Sequence, residues 1–160
     1  YGVFPAAHLG MTGKLEDWLF DTPAIEVEDR YRGSLLDSRQ YDSHSGATDL
    51  GPHKSDLVVL HGRSGMEASK CSTGEQKALL IRIVLGAAAL QHEEKSRMPI
   101  MLLDEVGAHL DKLRRSELFS IIGDMGVQAW MTGTDRLLFE NSGLDTQYFN
   151  VFNSTLTEAS

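Results

Sequence analysis

The sequence predicts an α/β protein, and three observations support this class. A long helical run of apolar residues occupies 78–90, a short continuous apolar run follows at 100–103, and a second helical pattern begins after Asp111. Short apolar runs that alternate with helical patterns are typical of parallel strands joined by right-handed helical crossovers. The alternation therefore predicts a sandwich of helices on a parallel sheet.

Composition limits the other possibilities. The chain has 160 residues, 41% of them hydrophobic, which suits one domain with a real core. Its single cysteine excludes an internal disulfide framework and favours a reducing compartment, so we expect a cytoplasmic protein without a membrane span. The net charge of −8 argues against a broad nucleic-acid-binding face. Because the chain starts at Tyr1 without methionine, we expect a fragment of a longer protein.

The first part of the chain predicts two strands and one helix. We expect a strand at Ala7–Thr12, a helix from Pro23 to about residue 40, a loop at 43–52, and a strand at Asp56–His61. Apolar side chains recur at every fourth position of that helix, at Val27, Tyr31 and Leu35. This spacing indicates an amphipathic helix.

The longest predicted helix begins at a capping box. Ser72 and Glu75 are three residues apart, so the serine oxygen can accept the Glu75 N–H while the glutamate accepts the Ser72 N–H. The helix should extend to about residue 92. It is apolar nearly all round, which predicts that it is buried.

The following elements continue the alternation. The run at 100–103 predicts a strand covered on both faces, and Asp111 is placed to cap a helix over Lys112–Met125. Further strands are expected at 127–131 and at Tyr148–Phe152. We therefore place one domain at 1–152 and a polar, frayed tail at 153–160.

Two acids end the strand at 100–103. Asp104 and Glu105 follow it directly, which is how a buried strand delivers carboxylates to a magnesium–nucleotide site. The alternative is ordinary, since many strands end at polar loops and many helices begin with a capping box. The conjunction and order of the two features favour the nucleotide site. The histidines form no cluster with ligand spacing, and we assign no metal to them.

The phosphate-gripping loop of such sites is absent from the sequence. No G-x-x-x-x-G-K-[ST] motif occurs, because Lys14 after Gly13 is followed by Leu15, and Gly74 has no lysine after it. On these motifs the chain resembles the C-terminal portion of a P-loop ATP-binding-cassette (ABC) ATPase head. It would comprise the signature helix, the Walker B strand and the following βα units, without the Walker A lobe.

Within that superfamily the chain resembles the RecF recombination-mediator family of the chromosome-maintenance branch, in its alphaproteobacterial form. Three segments carry the resemblance: Gly-Pro-His-Lys-Ser-Asp at 51–56, Cys-Ser-Thr-Gly-Glu-Gln-Lys at 71–77, and Met-Thr-Gly-Thr-Asp at 131–135. It covers the chain from about residue 4 to 152. Lys54 and Cys71 depart from the usual Arg and Leu, and the loop at 107–109 is a looser version of the family's.

The resemblance implies roles for individual residues. Asp104 would hold Mg²⁺, Glu105 would orient the attacking water, and Asp111 would lie in the loop between two nucleotide sites. A signature segment would bind the γ-phosphate of ATP held by a second copy; it consists of Ser72, Thr73, Gly74, Glu75 and Gln76. Thr132 or Thr134 would stand where related ATPases have a switch histidine, without its charge.

The resemblance also implies a function. ATP would close a homodimer around gapped or single-stranded DNA, and slow hydrolysis would release it, with RecO and RecR proteins assisting recombinase loading in DNA repair, replication and the SOS response. The chain alone would be inactive. Two alternatives are the head of another chromosome-maintenance ATPase, and a non-catalytic interaction module whose acids only cap structural elements. Lys112, Arg114 and Arg115 form the one tight basic cluster, which is more typical of a solvated helix face than of a DNA site.

Overall fold

The computed structural model describes residues 2–95, 99–140 and 142–159. The chain divides into two compact units, one formed by residues 6–71 and the other by the remaining described residues. In the described segments, none of the helices has the length and apolarity that crossing a bilayer requires. Every residue of the candidate site belongs to the second unit.

The unit at 6–71 contains an antiparallel strand pair and two helices. Strand β1 (Ala7–Thr12) pairs with β2 (Asp56–His61), with Ala7 opposite His61. Both strands are confirmed at their predicted bounds. Between them lie helix α1 (Lys14–Asp21), which the sequence analysis missed, and helix α2 (Ala24–Ser45). Helix α2 ends five residues later than predicted, at a left-handed Gly46 whose N–H donates to the Asp42 carbonyl.

The second unit has the predicted alternation. Helix α3 (Thr73–Lys95) leads to strand β3 (Met101–Leu103), and helix α4 (Lys112–Met125) leads to strand β4 (Ala129–Met131). Strands β3 and β4 pair in parallel, with Leu103 opposite Met131. The core holds apolar side chains from both helices, from strand β3 and from the segments around them: Phe4, Ala78, Leu85, Ala88, Met101, Leu110, Leu118, Ile122 and Val127.

The expected burial of α3 and β3 is wrong in part. One side of α3 packs in the core, but Leu80 and Leu90 on that helix are more than half exposed. In β3, Met101 is buried whereas the next residue, Leu102, is 78% exposed. The described residues therefore cover only one face of this strand and one side of this helix. Apolar composition predicts that a surface will be covered, but it does not specify which segment covers it.

The predicted frayed tail is also wrong. Strand β5 (Tyr148–Phe152) is confirmed, and strand β6 (Thr155–Ala159) pairs with it in an antiparallel hairpin. Asn153 and Ser154 connect the strands, with φ angles of 47° and 58°. Two consecutive positive φ angles are typical of the tight two-residue turn that matches strand twist. The boundary predicted at 152 therefore falls inside a hairpin.

Candidate functional site

The two acids lie at the carboxyl end of strand β3. Leu103 is the last paired residue of β3, and its carbonyl accepts the Thr132 N–H at 3.1 Å, which extends the ladder one step beyond Met131. Because β3 and β4 are parallel, their carboxyl ends meet at the same edge. The register therefore brings Asp104 next to Thr132, although 28 residues separate them in the chain.

The hydroxyl of Thr132 joins both acids. It donates to Oδ1 of Asp104 at 2.5 Å, and it accepts the backbone N–H of Glu105 at 2.9 Å. Asp104 is exposed, and its Oδ2 atom has no hydrogen-bond partner among the described residues. Glu105 has φ 53° and ψ 16°, a left-handed conformation that a residue with a Cβ seldom adopts. Strained backbone of this kind is frequent at functional sites.

The segment after the acids is held by Arg115 of helix α4 and leads to the cap of that helix. Asp111 caps that helix, as predicted, because its Oδ1 accepts the Arg114 N–H at 2.8 Å. Nη1 of Arg115 donates to the carbonyls of Gly107 and Leu110, at 3.2 and 3.3 Å. Arg115 therefore fixes the loop between the acids and Asp111. The sequence offered no local signal for this role, since the partners are backbone atoms.

The beginning of helix α3 has the predicted capping box. Oε2 of Glu75 accepts from the Ser72 N–H at 3.0 Å and from its hydroxyl at 2.9 Å, while Oγ of Ser72 accepts the Glu75 N–H at 3.4 Å. The Gln76 N–H donates to the Ser72 carbonyl. In contrast, the N–H groups of Thr73 and Gly74 meet no acceptor within the described segments. Two unpartnered N–H groups at an exposed helix start can bind an anion.

Eight of the ten predicted site residues thus form two groups in the second unit. Asp104, Glu105 and Thr132 meet at the sheet edge, and the signature segment (residues 72–76) forms the start of α3. Nη1 of Arg114 donates to the Gly74 carbonyl at 3.3 Å, which joins the start of α4 to the signature segment. Thr134 is exposed, and its hydroxyl has no partner in the described part of the chain.

The basic cluster on α4 is largely used inside the molecule. Arg114 and Arg115 are both half-buried, and both donate to backbone carbonyls. Of the three, only Lys112 is exposed. Among the described residues, no group of three or more histidine, cysteine, aspartate or glutamate side chains could enclose a metal ion. A cation at Asp104 would consequently rely on other ligands, as hydrated Mg²⁺ does with water and phosphate oxygens.

The fold and this arrangement of acids after a parallel strand define an α/β protein of the ABC-ATPase class, represented by part of its head. Similar sequences support a narrower assignment. The chain is 46% identical over 156 residues to "DNA replication and repair protein RecF" of Rhizobium rhizogenes, covering 98% of the chain and 41% of the relative. It is 47% identical over 156 residues to the Brucella abortus protein of the same name, with the same coverage.

Solved structures share the fold of this chain. A structure of "the recombination mediator protein RecF-ATPrS in RecFOR pathway" matches 98% of the chain with a TM-score of 0.69 at 18% identity, and an ATP-bound one matches with a TM-score of 0.67. No protein-family model matches the chain. The chain belongs to the RecF family, as a C-terminal part, and it spans about 41% of the length of its relatives.

Proposed function

We propose that the chain supplies the signature segment and the two acids of an ATPase that works in DNA replication and repair. The observation that carries the proposal is the junction at the end of β3, where Thr132 joins Asp104 to Glu105. In this proposal, ATP closes a homodimer on DNA and slow hydrolysis opens it. The names of the relatives support the DNA-repair role, and the ATP-bound RecF structure supports the nucleotide.

The chemistry of Asp104 suits the magnesium role. A hard cation such as Mg²⁺ prefers oxygen ligands and retains several waters, so it needs few protein carboxylates. Asp104 is exposed, with Oδ1 fixed by Thr132 and Oδ2 open. When bound there, Mg²⁺ would neutralise charge on the phosphates. Glu105 lies one residue further, where its carboxylate can accept a hydrogen bond from water and orient it for attack.

The signature segment explains why a dimer would be required. The open N–H groups of Thr73 and Gly74 can bind the γ-phosphate of ATP held by a second copy. The hydroxyl of Ser72 donates its hydrogen to Oε2 of Glu75, so it would contact that phosphate only after this hydrogen bond opens. The phosphate-gripping lysine motif is not in this sequence, so the nucleotide must first be held by residues outside it. Hydrolysis then depends on the meeting of the two copies.

The proposal also covers the DNA and protein partners of the whole protein. The net charge is −8, and two of the three clustered cations already bind backbone carbonyls. We infer that residues outside this chain make most of the contacts with gapped or single-stranded DNA. RecO and RecR proteins, recombinase loading, the SOS response and a cytoplasmic location complete the proposal by resemblance to the family.

The test uses a full-length RecF protein that carries this chain. Glu105→Gln should bind ATP and accumulate the closed dimer, because the amide retains the shape of the side chain but is a poor acceptor for the attacking water. Asp104→Asn should weaken Mg-ATP binding itself. The matched controls are Glu94→Gln on α3 and Asp124→Asn on α4, both exposed. Gel filtration with and without ATP and a nucleotide-binding titration provide the measurements.

Two results would contradict the assigned roles. Glu105→Gln could be as monomeric with ATP as without it, or Asp104→Asn could bind Mg-ATP like the wild type. If the wild-type protein itself does not bind ATP, the second function, a non-catalytic interaction module, is favoured. The capping roles observed for Ser72 and Asp111 are what that module would need from these residues.

A further inference from the structure

The hydroxyl of Thr132 has no proton left for a phosphate. A threonine hydroxyl carries one hydrogen and two lone pairs. Its hydrogen is directed at Oδ1 of Asp104, and one lone pair accepts the Glu105 N–H. Phosphate oxygens at a nucleotide site accept hydrogen bonds, so they need a donor. The geometry therefore does not fit the sequence-based expectation that Thr132 contacts the phosphate, whereas the hydroxyl of Thr134 remains open for that contact.

The same hydroxyl also holds the backbone of Glu105. The left-handed conformation of this residue is unfavourable for a side chain with a Cβ. The hydrogen bond from its N–H to Thr132 Oγ1 helps to fix the orientation of that peptide group. The direction in which the Glu105 side chain leaves the backbone follows from this conformation.

We propose that Thr132 is a positioning residue that couples the magnesium acid to the water-orienting acid. This inference rests on the proposed ATPase function. One hydroxyl fixes Oδ1 of Asp104, leaving Oδ2 to face the hydrated cation, and it fixes the peptide of Glu105. Serine can make both hydrogen bonds. Valine has nearly the shape of threonine but can make neither.

The experiment compares three variants of a full-length RecF protein that carries this chain. Thr132→Val removes the hydroxyl, and Thr132→Ser keeps it. Thr157→Val is the matched control, since it makes the same change in strand β6, on an exposed residue. For each protein, we would measure ATP affinity with and without Mg²⁺, the Mg²⁺ concentration for half-maximal effect, KM and kcat, and the thermal unfolding midpoint.

Loss of a group that orients a metal ligand typically costs about 10- to 100-fold in metal affinity or activity. We therefore expect Thr132→Val to raise the half-maximal Mg²⁺ concentration and to lower kcat by about that factor. ATP affinity without Mg²⁺ and the unfolding midpoint should stay close to those of the wild type, because Thr132 is exposed and touches no phosphate. Thr132→Ser and Thr157→Val should both behave like the wild type.

The outcomes distinguish a failure of the proposed ATPase function from a failure of the positioning role of Thr132. If the wild type shows neither Mg²⁺-dependent ATP binding nor hydrolysis, the proposed function fails. If the wild type is active and Thr132→Val matches it, the positioning role is overturned. It is also overturned if Thr132→Ser is as impaired as Thr132→Val, including when the valine variant does not fold, because the hydroxyl would not be the cause. Equal loss of ATP affinity with and without Mg²⁺ in Thr132→Val would instead support direct phosphate contact.

Discussion

Gly74 offers a test in which stability and function should change in opposite directions. It is the second residue of α3, and a Cβ built there would lie 3.6 Å from Nη1 of Arg114, an ordinary contact. Alanine therefore fits the folded chain. Replacing glycine by alanine inside a helix gains about 1 kcal/mol, and somewhat less in the first turn. For a protein of this size, about 1 kcal/mol raises the unfolding midpoint by about 2–4 °C.

The same methyl group should disturb the proposed dimer. It would stand beside the open N–H groups of Thr73 and Gly74, where the proposal places the γ-phosphate of a second copy. Gly74→Ala should therefore prevent ATP-driven dimerisation and hydrolysis while the protein still binds ATP. Gly86→Ala is the matched control, because Gly86 lies in the same helix and a Cβ there meets no atom within 4 Å. It should raise stability by about 1 kcal/mol and leave dimerisation unchanged.

The assays are thermal unfolding of both variants and gel filtration of the full-length proteins with ATP. If Gly74→Ala dimerises with ATP like the wild type, the signature segment does not face a phosphate, and the capping box is only structural. If Gly74→Ala lowers the unfolding midpoint while Gly86→Ala raises it, the conclusion that a Cβ fits at Gly74 is wrong. Either result would refute one step of the reasoning without affecting the other.

Two further predictions concern the chain by itself. The isolated 160-residue chain should show no binding of Mg-ATP below the high-micromolar range in isothermal titration, because it lacks the motif that grips the phosphates; low-micromolar affinity would contradict this account. Ser154→Gly should stabilise the chain by about 1 kcal/mol in denaturant unfolding, since glycine adopts the φ of 58° at that turn without a Cβ penalty. Ser154→Ala retains a Cβ and should bring no such gain, so equal stabilisation by both would argue against the turn conformation.

Features that depend on neighbouring residues in the chain could be predicted from the sequence. The capping box of Ser72 and Glu75, the cap at Asp111, and strands β1, β2 and β5 were all predicted with their bounds or partners. Each of them rests on a spacing of a few residues or on a continuous apolar run. The resemblance to the RecF family could also be recognised from the sequence, because the three motifs occur in the expected order along the chain.

Features that depend on residues distant in the chain could not be predicted from the sequence. The parallel register of β3 and β4 brings Thr132 to Asp104 and Glu105, and no local pattern specifies a hydrogen bond across 27 or 28 residues. The exposure of Leu102 and the strand at Thr155–Ala159 likewise follow from packing and pairing with distant segments. Residue type sets the tendency of a segment to be buried or extended. Which face is covered, and which strand pairs with it, is fixed only when distant segments meet.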